Sequence, residues 1–211
     1  MRSFLNTKNL IFDKNVLNLN FLGLVEKFWF IFQRILKASN KIIPWRFIHS
    51  WECVNCGECC KRYNVSLSID EWLKITRIYG VDVVTSNIGK VLLKRRSDGS
   101  CVFLYRIGDR WVCGLQSIKP KACKLWPFYI KEKPVYGYGD FAYYNYNGLN
   151  LYIYVDTFCR GLTYGLPSKK LLEKILPEVV EIYLGRRIVQ QYTTSQLNLN
   201  YVKQSFLILP P

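Results

Sequence analysis

Hydrophobic and polar positions recur along this chain with more than one period, and each period predicts a different element. Between Val16 and Ala38, Glu26, Lys27, Gln33, Arg34 and Lys37 fall in one narrow arc at about 100° per residue. Leu22, Leu24, Val25, Phe28, Trp29, Ile31, Phe32, Ile35 and Leu36 cover the rest of the circumference, and only Phe30 sits inside the polar arc. This is a helix with a broad apolar face. Its uncharged run is too short to span a bilayer, and no small-residue cleavage site follows. A face this wide calls for docking against the rest of the protein; peripheral membrane contact through residues 16–38 is the alternative. Residues 1–15, by contrast, are polar and expected to be poorly ordered.

A second helical period begins at Ser68-Ile69-Asp70-Glu71, where Ser68 as N-cap and Glu71 three residues on make a capping box. The helix should run from Ile69 to Tyr79 and stop at Gly80, with Trp72, Ile75 and Tyr79 on its buried stripe. The pattern then shortens. Residues 89–96, 101–106 and 111–113 read as strands separated by the turns Asp98-Gly99 and Gly108-Asp109, and Lys94-Arg95-Arg96 reads as a solvated turn edge. Lys119–Phe128 reads as a helical turn broken by proline. Val135–Asp156 is tyrosine-rich β material folded about Asn147-Gly148, a dipeptide that favours the tight type I′ hairpin turn. From Ser168 to Tyr192 the period is helical again, interrupted at Pro177 and weakened at Gly185. In the tail, Leu197, Leu199 and Tyr201 alternate as an edge strand or a partner-binding segment would. The expectation is a small α+β domain with an antiparallel hairpin sheet, flanked by N- and C-terminal helices. It divides into an amphipathic helix and basic link (1–50), a central domain (51–165), and a C-terminal helix and tail (166–211).

Candidate chemistry changes this picture at one place. Cys53, Cys56, Cys59 and Cys60 lie within eight residues; Cys101, Cys113 and Cys159 follow at the ends of the expected β elements, and Cys123 in the helical turn of Lys119–Phe128. Thiolates are soft ligands, and a C-x-x-C turn lets the chain fold back on an ion, with Gly57 free to adopt positive φ where the backbone crowds it. The C-x2-C-x2-C run is the spacing of bacterial-type iron–sulfur sites. Successive side chains diverge, so Cys59 and Cys60 should serve different centres. Eight thiols and one histidine suit two four-thiolate sites, holding an iron–sulfur cluster by preference or zinc. The alternative is disulfides, as in a secreted or hyperthermophilic chain. His49 is a further candidate ligand; its simpler reading is a half-buried side chain beside Trp51.

The chain has 211 residues with 30 Lys and Arg against 15 Asp and Glu, a formal net charge of +15. Two tetrathiolate centres would lower that to roughly +11, still basic enough to attract nucleic acid, anionic lipid or acidic proteins. There is no Gly-rich phosphate loop, and a Ser-His-Asp or Cys-His arrangement would have to use His49. Eight cysteines and almost no histidine argue for closed centres rather than an open hydrolytic zinc site.

The run Cys53-x-x-Cys56-Gly57-x-Cys59-Cys60 resembles the signature of the CxxCxxCC cysteine-cluster family, described as zinc- or iron-chelating. The family's later landmarks recur in order: Cys101-Val102-Phe103-Leu104, then Cys113, then Lys119-Pro120-x-x-Cys123-Lys124-x-Trp126-Pro127-Phe128, then Cys159-Arg160-Gly161. Lys119 and Lys124 stand where the family prefers Arg, Trp126 where it prefers Phe, and Arg160 where it prefers Pro. An Arg-to-Lys change removes a planar, two-pronged donor. The resemblance implies metal binding and leaves the reaction open. Three functions follow, in order: a cytoplasmic metalloprotein for electron transfer or redox sensing, with an unidentified protein partner; a zinc-stapled basic module that binds RNA or a ribonucleoprotein; and a protein lysine methylase-like enzyme, since one relative, the flagellin lysine methylase, carries such a motif.

Overall fold

The computed structural model describes residues 29, 30, 33, 41–116 and 118–194. The polar leader, most of the expected N-terminal helix and the tail beyond residue 194 lie outside these residues. The chain enters at β1 (Ile42–Pro44), turns through Trp45–Phe47 and continues as β2 (Ile48–Trp51). After the cysteine loop come two helices, α1 (Glu58–Arg62) and α2 (Ile69–Tyr79). Two hairpins follow, β3 (Val84–Asn87) with β4 (Lys90–Leu93), and β5 (Leu104–Ile107) with β6 (Arg110–Cys113). Then come α3 (Lys121–Leu125), β7 (Phe128–Lys131), β8 (Tyr143–Tyr146), β9 (Leu149–Asp156) and β10 (Leu162–Tyr164). A π-wound stretch, Leu171–Ile175, leads into α4 (Leu176–Tyr183). The protein is therefore α+β, with strands paired antiparallel throughout the described residues. Among those residues no helix is long and apolar enough to cross a membrane.

Local chemistry sets several of these elements. The Ser68 hydroxyl accepts from the Glu71 backbone N–H at 3.3 Å while the Glu71 carboxylate accepts from the Ser68 N–H at 2.9 Å, so α2 starts where the capping box places it. It ends at Gly80, whose φ of 82° a side chain would resist. Ile75 is fully buried on the expected stripe and Trp72 half-buried, but Tyr79 stays largely exposed, its ring edge-on to Phe103. Asn147 and Gly148 both take positive φ, 48° and 84°, which is the type I′ turn joining β8 to β9.

β9 is the spine. Tyr152 pairs with both Lys131 and Tyr143, and Val155 with both Ile43 and Phe128, so β7 takes one edge of β9 while β8 and β1 share the other. Its inward residues join Ile43, Phe47, Ile48, Leu171, Ile175 and Val179 in the larger core. Burying an aliphatic side chain of this size contributes about 1.5–3 kcal/mol. A smaller core gathers Ile75, Leu93, Phe103 and Leu115 under α2 and the two hairpins. Trp29, on the apolar face of the expected N-terminal helix, packs against the larger core, and Phe30, in the polar arc, is 65% exposed.

Besides the exposed Tyr79, four expectations need correction. The strand expected at 101–106 begins only at Leu104, because Cys101 is engaged in an isolated bridge with Arg95. The first half of the tyrosine-rich stretch is not strand: Tyr138 is left-handed at φ 49° and caps a helical turn, Gly139–Ala142. The C-terminal helix stops at Tyr183 rather than Tyr192. Its continuation fails at Gly185 (φ 73°), and the buried Glu178 carboxylate draws in the backbone N–H groups of Gln191, Tyr192 and Thr193 instead. A charge this deep requires such donors. Finally, Arg95 and Arg96 are not a free turn edge. Arg95 donates to the carbonyls of Tyr63 and Lys61, and Arg96 to those of Leu104 and Val102. Arg95 thereby ties down the carboxyl end of α1, where a cation also suits the helix dipole.

Candidate metal centre

The cysteine loop opens directly from β2. Asn55 and Gly57 are both left-handed, φ 54° and 73°, and these two reversals bend Cys53 and Cys56 around before α1 begins at Glu58. Only Gly57 was expected to do this. A Cβ on Gly57 would lie 2.9 Å from Cγ of Trp111, so the indole lies hard against the loop. The Trp111 backbone N–H donates to the Asn55 carbonyl at 2.9 Å, which pins β6, and with it Cys113, beside the loop. Cys59 and Cys60 stand on α1 with their Sγ atoms 3.8 Å apart. The Cys101 N–H donates to the Cys60 carbonyl at 2.9 Å, bringing a third stretch of chain to the same place. Cys123 comes from α3, whose first N–H, on Lys121, is received by the Glu71 carboxylate at 2.6 Å.

Cys159 makes the longest journey. β9 carries it back from the hairpin, and β10 fastens to β2 with Leu162 opposite Trp51. The Glu52 N–H donates to the Gly161 carbonyl at 2.9 Å, and the Trp51 indole N–H reaches the Cys159 sulfur at 3.1 Å. Gly161 passes so close to the Glu52 carbonyl that a Cβ there would fall 1.7 Å from its oxygen.

All eight cysteines, every one of them free, line a single cavity of about 400 Å³. Trp51, Tyr63, Trp111, Trp126, Phe128 and Tyr129 form much of its wall, and Lys119 contributes a cation. Among the described residues, no three His, Cys, Asp or Glu groups are drawn into a closed metal-holding set. The thiols ring a space instead. His49 stands apart from it, its Nδ1 2.7 Å from the Leu166 carbonyl oxygen, as the half-buried reading expects.

Burial and mutual charge set the proton affinities of the thiols. Burial pushes Cys159 up to about 11, with the charges of Cys56 and Cys53 adding to the effect. Burial raises Cys101, Cys113 and Cys123, and Cys123 also feels Cys113, Cys59 and Cys101. The hydrogen bond between the paired thiols holds Cys59 down at about 7 and drives Cys60 up, and Cys60 also meets Cys113 and Cys101. Lys119 opposes the rise at Cys53, Cys113 and Cys123. The cores divide the same way: Cys53 and Cys159 join the larger, Cys60, Cys101 and Cys113 the smaller. Two neighbourhoods result, Cys53–Cys56–Cys159 and Cys60–Cys101–Cys113–Cys123, with Cys59 between them. Several thiols that raise one another's proton affinity are what a soft cation relieves, so the donor set fits a zinc or iron group.

At the rim lies a feature that sequence reasoning missed. The buried Asp156 carboxylate accepts from the Tyr63 hydroxyl at 2.7 Å and from the Tyr129 hydroxyl at 3.3 Å. Burial and the Asp156 charge push Tyr129 up to about 12, so both phenols remain donors. The three residues are 27 or more positions apart in sequence, and nothing local marks them.

Residues 52–148 match a family model, CxxCxxCC, whose description reads "Putative zinc- or iron-chelating domain". Seven of the eight cysteines lie inside the matched stretch and Cys159 beyond it. No curated protein and no solved structure matches the chain.

Proposed function

We propose, from a chain whose residues 52–148 are a CxxCxxCC domain, that this metal-chelating protein holds two four-thiolate centres and uses them for electron transfer or redox sensing. The observation that carries the reading is the convergence of all eight cysteines on one aromatic-walled cavity. The first centre takes Cys53, Cys56, Cys59 and Cys159; the second takes Cys60, Cys101, Cys113 and Cys123. Iron–sulfur clusters are preferred to zinc because of the C-x2-C-x2-C run and an all-sulfur donor set in a largely apolar wall. Such a group, when bound, supplies a site for one-electron storage.

The chain's own residues tune that site. The Trp51 N–H on the Cys159 sulfur draws electron density from it, and Lys119 places a positive charge toward thiols of both neighbourhoods, each favouring the more negative state of a bound group. The aromatic wall limits water at the sulfurs.

Anaerobic purification followed by iron, acid-labile sulfide and zinc analysis tests the identity, and single Cys→Ser variants test the grouping. Visible absorbance with matched iron and sulfide is expected, with Cys159→Ser affecting the same spectral component as Cys53→Ser, and Cys101→Ser another. A colourless protein with stoichiometric zinc would replace the redox role with a structural one. Equal loss of metal across all eight variants would rule out two centres.

A further inference from the structure

We propose that the surface around α1 docks an acidic segment of a partner protein, its carboxylates meeting Lys41, Lys61, Arg62, Arg106 and Arg160. Two aromatic rings organise these cations. The Lys61 Nζ lies 4.2 Å from the centroid of the Trp111 ring and the Arg106 guanidinium carbon 5.9 Å from it. The Arg62 guanidinium carbon lies 4.5 Å, and the Lys41 Nζ 5.4 Å, from the centroid of Phe158. Lys61 and Arg62 are successive residues in the last turn of α1, so the two cation–ring groups adjoin across one helix. Arg160 joins them through Glu58, 3.6 Å away, which Arg62 also holds at 2.8 Å.

All five cations are exposed at the surface. The acids nearby offset them only in part: Glu58 is shared by Arg62 and Arg160, Asp98 acts on Lys61, and the buried Asp156 on Arg62. Glu58 has a side chain only 14% exposed and already carries two arginines, while Glu52 pairs with Lys170. Asp109 stands in the turn beyond Arg106. A surplus of positive charge remains around the helix that bears Cys59 and Cys60. Cations lodged over rings have fewer rotamers to lose on binding, so the array is preorganised for anions.

The same geometry selects among anions. Single-stranded nucleic acid gains much of its sequence-tolerant affinity by stacking bases on open aromatic faces. Here Lys61, Arg106 and the close approach of Gly57 take up the Trp111 ring, and Lys41 and Arg62 that of Phe158. Carboxylates need no open ring face, and each guanidinium presents a fork to one of them. A partner docked here lies beside the cysteine loop, on the helix that bears Cys59 and Cys60, and electrons exchanged with a centre inside would pass on this side. That use rests on the metal reading above; the docking does not.

The test uses the full-length, metal-loaded protein with two probes of matched charge, deca-glutamate and a single-stranded deoxythymidine oligonucleotide, titrated at low and physiological salt. Metal content is measured on every variant. The double variant Lys61→Glu/Arg106→Glu should weaken deca-glutamate binding about tenfold or more while retaining metal. The control Lys74→Glu/Lys90→Glu, of equal charge change elsewhere, should weaken it less than about twofold. Equal losses in the two variants would show that net charge alone binds the peptide, and the proposal would fall. It would fall equally if deca-glutamate did not bind, or if the oligonucleotide bound more tightly at the same salt through the same residues, which would assign the surface to nucleic acid. Protein that holds no metal as purified but still binds deca-glutamate through these residues would count against the metal reading only.

Discussion

Gly161→Ala tests how the first neighbourhood is assembled. The added methyl would stand 1.7 Å from the Glu52 carbonyl oxygen and 2.9 Å from its carbonyl carbon, where contacts under 3.0 Å are essentially never seen. Both obstacles are backbone, so β2 and the 159–161 turn must part by more than an ångström. Parting stretches the 2.9 Å bond from the Glu52 N–H to the Gly161 carbonyl and withdraws Cys159 from the Trp51 indole. Overpacking of this kind costs about 1–3 kcal/mol, and a buried backbone hydrogen bond about 0.5–1.5 kcal/mol more. The sum, about 1.5–4.5 kcal/mol, corresponds to a loss of roughly 3–18 °C in Tm at about 2–4 °C per kcal/mol for a domain of this size. The assay is thermal unfolding by circular dichroism alongside metal analysis of the same sample. A metal deficit confined to the centre that also responds to Cys53→Ser is expected. A variant with parental Tm and full metal would refute both the close approach and the assignment of Cys159 to that centre.

Arg95→Met removes the guanidinium that holds the carbonyls of Lys61 and Tyr63, and should cost about 2–3 kcal/mol by chemical denaturation, whereas Lys94→Met should cost little. In metal-free protein, Cys59 should be alkylated ahead of the other thiols: with its proton affinity near pH 7, its iodoacetamide rate should fall about tenfold per pH unit below that point and level off above it, as peptide mass spectrometry would show. Cys159, raised to about 11, should remain unlabelled at neutral pH, and faster labelling of Cys159 would contradict the burial order. Deleting residues 1–40 removes Trp29 from the larger core and should lower both solubility and Tm; a soluble truncation with an unaltered melt, losing only vesicle binding, would make the helix a membrane anchor instead.

Where sequence reasoning succeeded, the determining chemistry lay within a few residues. The capping box of α2, its stop at Gly80 and the Asn147-Gly148 turn each depend on contacts between near neighbours, so their residue types suffice. The cysteine loop was legible for the same reason, since C-x-x-C spacing is itself local geometry. The partners of the distal cysteines were not. Cys159 meets Cys53 and Cys56 because β9 is long enough to span the sheet and because Gly161 lets a second backbone through, and no residue adjacent to Cys159 encodes that meeting. Arg95 reads as a turn-edge charge until α1 presents it with free carbonyls. The helical period that runs on toward Tyr192 gives way after Tyr183, because Glu178, buried by packing, satisfies its charge with the N–H groups of the following segment. In each case a group left unsatisfied by its own segment finds its partner only when a distant segment arrives, and that arrival is decided by the packing of the two cores.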